Sequence, residues 1–583
     1  MANFFTDNED IQFLFQHMNL ARVATLREQN FRFAKEFDFA PADAPEAIDN
    51  YRRILDVIGE IAGERVAPTA ADTDTVGNVL NADGSVTYAP GIAEAVKLLG
   101  QADAMGFILP YRFGGLNGPN LLYTMSNDIV SRADAALMNI YGLQGIAETI
   151  NAFASEEIKQ QYLPRMTSGE WTGAMVLTEP DAGSDLQAVK TKAYQDASGQ
   201  WFVRGVKRFI TNGCGEVLLV LARTEPEIAD GRGLSCLLVE RGPRVRVRRL
   251  EHKLGINGSP TCEICFDDAP AKLIGERRRG LITYVMSLMN GARIGIAAQS
   301  LGIGEAAYRV ARAYAHSRKQ FNTAIENFPA VRDLLLDMSL DVQAARALSY
   351  FAAYSVDLEE GLGACVAAAQ NAAPDELKRL RAEERKYKAF SKMLTPMAKY
   401  YASEMSMRVS NSSMAVLGGS GYMKDYAVER HLRDSRITTI YEGTSQLQVV
   451  ASLAGVIGDT VGEVIQEILG DRVWPHELET RVVHIREGQA LLAESVAFVK
   501  AQTSSNAYRD LHARKLVDMA IDLIVAALFC DQATVSPKKL LVAKRWLAER
   551  MPRMRMLKEQ VCSGETSALT DFEILAGPLP VAD

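Results

Sequence analysis

Residues 436–446 read Arg-Ile-Thr-Thr-Ile-Tyr-Glu-Gly-Thr-Ser-Gln and place one carboxylate, Glu442, between an aromatic ring and a glycine. An exposed glutamate keeps its hydration. One held beside Tyr441 and covered by an apolar ligand would lose it, and its pKa would rise toward neutral. The stretch therefore indicates a general base. It is also typical of a loop or a helix start, because Glu-Gly-Thr-Ser supplies capping side chains. This stretch alone therefore does not distinguish a base from a loop or capping glutamate.

Five further motifs precede this stretch in the chain. An apolar run at Met175–Asp185 breaks into an Asp-Ala-Gly-Ser turn, whose amides could bind a phosphate. Gly205–Gly213 reads as a strand with a ring and a hydroxyl two residues apart, ending in Asn-Gly. The other three are polar or glycine-rich stretches: Asn290–Arg293, Ser317–Phe321 and Leu417–Tyr422.

In this order the motifs resemble those of the acyl-CoA dehydrogenases, flavoproteins that oxidise the α,β bond of an acyl-CoA thioester. The resemblance covers about residues 45–455 and rests on several separate motifs. It implies a mainly α fold with a central β domain, and FAD held between the β domain and a second helical bundle. We expect an N-terminal α domain, a β domain, a helical bundle and a helical C-terminal extension, at 1–171, 172–279, 280–460 and 461–583.

The apolar patterning agrees with this division. Helical spacing covers 50–66 and 92–170, and a polar stretch from Asp72 to Gly91 between them reads as an inserted loop. Short β runs fill 172–275, and helical periodicity returns from about Gly280. Near the C-terminus, Leu523–Cys530 is too apolar to stay exposed and predicts a packed helix.

The composition of the chain argues against several classes of protein. The chain has 583 residues, 48% of them hydrophobic, and a formal net charge of −8, which disfavours nucleic acid as the main partner. An acidic N-terminus and the lack of an apolar run near ~20 residues predict a soluble, cytoplasmic protein without an integral membrane segment. The seven cysteines are scattered, and Cys262 and Cys265 fall in a predicted strand, so neither disulfides nor a metal site is expected.

The resemblance assigns the substrate side of the site. Glu442 matches the family's base, which removes the α-proton, and Ala292 stands where some members place the glutamate instead. Glu442 is thus the sole candidate. The resemblance also places Arg293 and Asn290 near the substrate, although Arg293 could equally form a buried structural ion pair. The remaining substrate contacts that it implies are Ser184, Tyr441 and Gly443.

The resemblance also assigns residues to FAD. Phe209 stands where many relatives have tryptophan, and by itself would be an ordinary core ring. Arg318, Gln320 and Phe321 match a segment that reaches a neighbouring subunit's flavin, so a homo-oligomer, dimer or tetramer, is implied; without the family pattern they would read as a solvated face. The remaining FAD contacts implied are Met175, Leu177, Thr178, Gly183, Ser184, Thr211, Gly418, Gly419, Thr444 and Gln446.

The implied activity is dehydrogenation of an acyl-CoA to a trans-2-enoyl-CoA. The Cβ hydride passes to flavin N5 and the electrons go on to an electron-transfer flavoprotein. The C-terminal extension resembles that of larger bacterial members, including 3-methylmercaptopropionyl-CoA dehydrogenase. Two alternatives stay open: an acyl-CoA oxidase, and a nucleic-acid-binding relative that would use the basic stretch Lys538–Glu559. Pro552 should interrupt this stretch, whose apolar residues we expect to be buried.

The sequence does not fix the acyl chain. Leu143, Gln144 and Ala147 are expected on the helix that closes the substrate pocket, but side-chain identity there does not set the pocket's depth.

Overall fold

A computed structural model describes residues 2–369, 373–502 and 506–580, without the side chain of Asn290. It divides into two compact units, one of Met1–Lys388 with Ala398–Thr444 and one of Ala389–Met397 with Ser445–Asp583.

The first unit begins with a series of helices, and a small two-stranded hairpin lies between two of them in the chain. The hairpin strands are β1, Val79–Leu80, and β2, Val86–Thr87. The segment predicted as a loop, Asp72–Gly91, therefore carries structure. Its Asp-Gly pair at 83–84 supplies a hairpin turn, with Gly84 at φ 81°. The helices are α1 Glu9–His17, α2 Leu20–Arg27, α3 Ala44–Glu60, α4 Ala70–Val76, α5 Pro90–Gln101, α6 Asn120–Ala133, α7 Ala135–Tyr141, α8 Gln144–Phe153 and α9 Glu156–Thr167.

The middle of the first unit is a seven-stranded sheet that closes on itself. Its strands run in the order β3-β6-β4-β5-β9-β7, β6 also pairs with β7, and β8 pairs with β9. Inward-facing apolar residues such as Val203, Val220 and Ile264 fill the barrel. The strands are β3 Gly173–Val176, β4 Lys192–Gln195, β5 Trp201–Thr211, β6 Val217–Arg223, β7 Leu234–Glu240, β8 Val245–Leu250 and β9 Thr261–Ile274.

Long helices complete the first unit and lead into the second. A two-stranded ribbon, β10 at Lys319–Gln320 and β11 at Thr323–Ala324, follows the first of them. The helices are α10 Met286–Ser317, α11 Pro329–Ala368, α12 Pro374–Leu417, α13 Val428–Thr438 and α14 Ser445–Ile457.

Close packing fixes α10 against α6. A Cβ on Gly302 would lie 2.4 Å from the Arg132 nitrogen, so only glycine allows the two backbones to approach this closely. The fully buried Arg346 of α11 binds three carboxylates, each at 2.9 Å, those of Asp10, Asp128 and Glu305. These contacts join α1, α6, α10 and α11, and hold in place the helices that line the cavity described below.

The second unit contains six more helices after α14. The apolar run Leu523–Cys530 lies in the centre of α17 and is buried throughout, as predicted. The helices are α15 Thr460–Leu469, α16 His476–Ala501, α17 Asn506–Ala533, α18 Pro537–Val561, α19 Ser567–Thr570 and α20 Phe572–Ala576.

Helix α18 is not interrupted at Pro552 as expected, and several of its basic side chains are paired with acids. It continues through Pro552, because Trp546, Met551 and Met554 are buried and hold the helix together on both sides of the proline. Several of its basic side chains make ion pairs with acids of the same unit. Arg553 binds Asp518 and Asp522 at 2.7 and 2.6 Å, Arg555 binds Glu487 and Lys558 binds Glu494. These pairs leave less unbalanced positive charge for phosphate binding than the sequence suggests.

One helical run in the described chain is long and apolar enough to cross a membrane by length and composition, Gly280–Ser317. No apolar run of this length was predicted from the sequence. About 35% of the most apolar window of this run is buried, and Ala297 and Ala298 in the same run are fully buried. The bent pair α14 and α15 passes the same test only if both helices are taken as a single span.

Candidate active site

Glu442 lies in the turn between α13 and α14, in a backbone conformation that non-glycine residues rarely adopt. Its φ is 53°, and the next residue, Gly443, has φ 86°. Such a left-handed non-glycine residue costs about 1 kcal/mol or more and is found most often at functional sites. Burial raises the pKa of Glu442 to about 7, against the lowering effects of Lys399 and Arg293. The side chain therefore titrates near neutral pH, as a general base should.

Lys399 and Arg293 are the two cations nearest the base. Lys399 comes from α12, is fully buried and donates from Nζ to the Gly443 carbonyl oxygen at 2.7 Å. Burial lowers its pKa to about 7, although the Glu442 charge opposes this shift. Burial also lowers the pKa of Arg293 on α10, again opposed by Glu442. Sequence reasoning missed Lys399, whose only signal is a lysine within the locally apolar stretch Met393–Tyr401 of α12, 43 residues before Glu442.

A buried amide network fixes Tyr441 beside the base. The Tyr441 hydroxyl donates to Gln299 Oε1 and lies 3.2 Å from Asn139 Oδ1. Gln299 Nε2 donates to Asn139 Oδ1 at 2.7 Å and to the Ala135 carbonyl at 2.8 Å. The ring is thereby tied to α7 and α10, and the adjacent Glu442 takes its position from this anchor.

Glu442 and Tyr441 line a cavity with about 810 Å³ of space free of protein atoms, part of it at the mouth. Ala292 lines the same cavity, so the position that carries the base in some relatives holds only a methyl group here. Leu143 lines it as expected, whereas Gln144 and Ala147 are buried on α8 outside the lining. The apolar wall consists mainly of Ile108, Met138, Leu143, Ile146 and Leu288.

Two residues predicted for FAD lie on this cavity and others on the nearby edge of the barrel. Met175 and Thr211 line the cavity. Phe209 occupies a bulge of β5 with φ 61°, and about half of its ring surface is exposed. In the described chain the amides of Gly183 and Ser184 have no hydrogen-bond acceptor. An exposed ring can pack on an isoalloxazine, a hydroxyl can hydrogen-bond to its edge, and free amides can bind a diphosphate.

A buried ion pair holds this edge of the barrel. Lys207 of β5 is fully buried, donates to the Leu177 carbonyl at 2.8 Å and lies 3.0 Å from the Glu179 carboxylate. Glu179 also accepts from the amides of Lys190 and Thr191 at 2.7 and 2.8 Å. Leu177 is buried here and the neighbouring Thr178 is half-buried. The pair therefore holds the segment after β3, which contains Thr178, against β5, the strand that carries Phe209.

The remaining predicted residues lie at other points of the surface. Arg318 and Gln320 are exposed on the β10–β11 ribbon, and the Phe321 ring at its turn is 91% exposed. Gly418 has φ 60°, and a Cβ on it or on Gly419 would meet nothing within 4 Å. Thr444 is half-buried, Gln446 is exposed at the start of α14, and Ser184 is exposed. The side chain of Asn290 lies outside the described residues.

Comparisons with known proteins agree with this architecture. Three family models match: the acyl-CoA dehydrogenase N-terminal domain at 49–170, the middle domain at 174–269 and the C-terminal domain at 279–456. Acryloyl-CoA reductase (NADH) of Anaerotignum propionicum is 36% identical over 61% of this chain and 85% of its own. 3-Methylmercaptopropionyl-CoA dehydrogenase of Ruegeria pomeroyi is 32% identical over 69% of each chain.

A solved structure extends the likeness to the C-terminal helices. The acyl-CoA dehydrogenase of Bacillus anthracis complexed with FAD covers 92% of this chain and 92% of its own, at a TM-score of 0.73 and 21% identity. The predicted fold class, mainly α with a central β domain and an additional helical C-terminal region, is confirmed. From the three matched domains and the shared identity, the chain is an enzyme of the acyl-CoA dehydrogenase family, whose members use FAD.

Proposed function

We propose that this enzyme dehydrogenates the α,β bond of an acyl-CoA thioester to give a trans-2-enoyl-CoA, with Glu442 as the base that takes the α-proton. One observation carries the proposal: Glu442 lines an apolar-walled cavity, and burial raises its pKa to about 7. A carboxylate of that pKa is a far stronger base than an exposed one and is still substantially ionised near neutral pH.

The surrounding residues prepare this base. Lys399 and Arg293 favour its ionised form, while the apolar wall keeps water from solvating it. The anchored Tyr441 and the bond from Lys399 to the Gly443 carbonyl hold the turn on both sides of Glu442. In this proposal the Glu442 backbone amide donates to the thioester oxygen, where negative charge develops as the α-proton leaves.

The residues at the barrel edge fit FAD. Phe209 would pack on the isoalloxazine, Thr211 would bond its edge, and the Gly183 and Ser184 amides would bind the diphosphate. FAD, when bound, supplies the two-electron acceptor for the hydride that leaves Cβ. Loss of that hydride and of the α-proton gives the enoyl product.

The electron acceptor, the assembly and the compartment belong to the proposal as well. We propose transfer of the electrons to an electron-transfer flavoprotein, in a cytoplasmic homo-oligomer. The match of Arg318, Gln320 and Phe321 to the family segment that reaches a neighbouring flavin supports an oligomer, and the 91% exposed Phe321 ring is accessible for that contact. An oxidase would differ in passing electrons to oxygen. Oxygen consumption compared with reduction of an artificial acceptor separates the two.

The test is anaerobic flavin reduction by an acyl-CoA panel. Glu442→Gln should keep FAD and acyl-CoA bound but slow flavin bleaching by about 10²- to 10⁴-fold, because the amide keeps the shape and loses the basicity. The double variant Glu442→Gln/Ala292→Glu should recover at least part of this loss, because Ala292 lines the same cavity. Near-normal bleaching in the single variant would overturn the assignment.

A further inference from the structure

A second carboxylate, Glu148, lines the same cavity as Glu442. It lies on α8, is half-buried and has no hydrogen-bond partner in the described part of the chain. Its electrostatic neighbours are Arg27 and Asp357, with Glu360 also coupled to it, and none of these acts on Glu442. The two carboxylates therefore occupy different parts of the cavity wall. No motif in the sequence pointed to Glu148.

The charges around Glu148 are unbalanced. Arg27 is the one cation among these electrostatic neighbours, and its guanidinium already binds protein groups. Its Nε donates to the Asn117 carbonyl at 3.0 Å, one terminal nitrogen donates to the Ile108 carbonyl at 2.7 Å, and the other lies 3.8 Å from Glu360. Three acids thus share one cation. Burial raises the pKa of all three, that of Asp357 and of Glu360 to about 7, so a ligand cation beside Glu148 would favour its ionised form.

The other two acids are bound to protein donors. The Asp357 carboxylate accepts from the Asn120 and Leu121 amides at 2.6 and 2.8 Å, at the start of α6. Glu360 accepts from the Asn120 side chain at 3.0 Å. Among the three acids only Glu148 lines the cavity, and in the described part of the chain neither of its oxygens has a protein donor.

An orphaned acceptor lies on the same cavity. Asn127 is fully buried and lines it, and Asn127 Nδ2 donates to the Tyr123 carbonyl at 2.9 Å. This bond fixes the amide orientation, and Oδ1 is left buried with no partner. Leaving a buried acceptor without a donor carries a desolvation cost. A ligand that supplies the donor would recover that cost.

We propose that Glu148 and Asn127 form a subsite for a cationic hydrogen-bond donor, a terminal ammonium, on the acyl chain of the substrate. The inference rests on the proposed function and names its substrate class: acyl-CoA thioesters that carry an amino group at the far end of the chain. A carboxylate and an amide oxygen are both acceptors, so an ammonium can bond to both, whereas a terminal methyl would leave both unsatisfied.

The test compares ω-aminoacyl-CoAs of increasing chain length, each paired with the alkanoyl-CoA of equal length, such as 6-aminohexanoyl-CoA with heptanoyl-CoA. The full-length holoenzyme should bind the amino member of its best-fitting pair about tenfold or more tightly by calorimetry and turn it over with a correspondingly higher kcat/KM. Glu148→Gln should abolish or invert this preference. Glu157→Gln, an exposed glutamate on the following helix, is the matched control and should leave the preference unchanged.

Binding is measured in the Glu442→Gln background, where flavin reduction is slow, and turnover in the native background, so the two measurements separate the two proposals. If alkanoyl-CoAs bind and reduce the flavin but every amino partner binds more weakly, the subsite is wrong and the dehydrogenase proposal stands. If the amino partners bind tightly to Glu148→Gln as well, Glu148 is not the recognition group. If 6-hydroxyhexanoyl-CoA binds as tightly as the amine, the preference for a cation is wrong. If acyl-CoAs bind but none reduces the flavin, the proposed function fails independently.

Discussion

Lys399 Nζ donates to the carbonyl oxygen of Gly443 at 2.7 Å, and thereby places a fully buried amino group, whose pKa burial lowers to about 7, one residue from the proposed base. The contact has two effects. It holds the turn in which Glu442 has its positive φ, and it sets a positive charge against the burial that raises the pKa of Glu442. Without Lys399 the carboxyl would be harder to ionise.

We predict that Lys399→Met raises the pKa of Glu442 and moves the rise of flavin reduction to higher pH. The sign follows from the base: the ionised form is active, so a pKa raised from about 7 to ~8 lowers the ionised fraction at pH 7, and with it the rate, by about fivefold. Single-turnover flavin reduction across pH 5.5 to 9 measures it. Lys399→Arg keeps the charge and should restore the profile in part. An unchanged profile in Lys399→Met would mean that the lysine only supports the turn.

The buried pair Lys207–Glu179 should hold the barrel edge. Lys207→Met leaves the Glu179 carboxylate buried with only its two backbone donors, and we expect a loss of about 3 kcal/mol in the free energy of unfolding. Weaker FAD retention should accompany it, because Thr178 and Phe209 flank the pair. Urea unfolding and flavin absorbance after gel filtration measure both.

A matched control lies on the same strand. Arg204 pairs with Asp268 at the surface, where an ion pair contributes little, so Arg204→Met should change neither stability nor FAD content appreciably. Equal effects of the Arg204 and Lys207 substitutions would contradict the special role of the buried pair.

The β10–β11 ribbon should join subunits. Its turn residues Phe321 and Asn322 have φ 49° and 61°, so the tight turn holds an aromatic ring in a strained conformation with 91% of its surface exposed. If Arg318 and Phe321 reach a neighbour's flavin, Arg318→Ala and Phe321→Ala should lose FAD and subunit association together. Sedimentation velocity with flavin absorbance detects both losses. If both variants stay oligomeric and keep their flavin, the ribbon is an ordinary solvated surface and does not join subunits.

The sequence was most informative where chemistry is local. The Glu442 turn could be chosen as a candidate because carboxylate, ring and glycine are adjacent, and the β domain could be predicted because its short strands alternate with clear turn residues. Lys399 and Glu148 could not, since each joins the cavity through tertiary packing of a helix that shows no motif. The prediction that Pro552 interrupts the helix was wrong, because the burial of Trp546 and Met554 outweighs the loss of one backbone hydrogen bond. The hairpin within Asp72–Gly91 was hidden by two-residue strands that leave no periodic pattern.

The final prediction concerns the second unit. Within it, α14 packs against α15 and α17, and the α14 side chains Val449, Leu453 and Val456 are buried. A truncation after Gly458 removes these partners and exposes the apolar face of α14. We expect the truncated chain to aggregate or to lose its oligomer, seen by light scattering and by binding of an apolar dye.

A shorter truncation supplies the control for this experiment. Removal of everything after Cys562 deletes only α19, α20 and the following residues, whose side chains are mostly exposed, including Phe572 and Ile574. That variant should stay folded and active, because α18 and the bond from the Tyr508 hydroxyl to the Val561 carbonyl remain. Sedimentation of the intact chain with anionic vesicles should be weak, because several α18 basic groups are paired with acids. A soluble, active protein ending at Gly458, or strong vesicle binding, would show that the unit serves a membrane surface instead of stability.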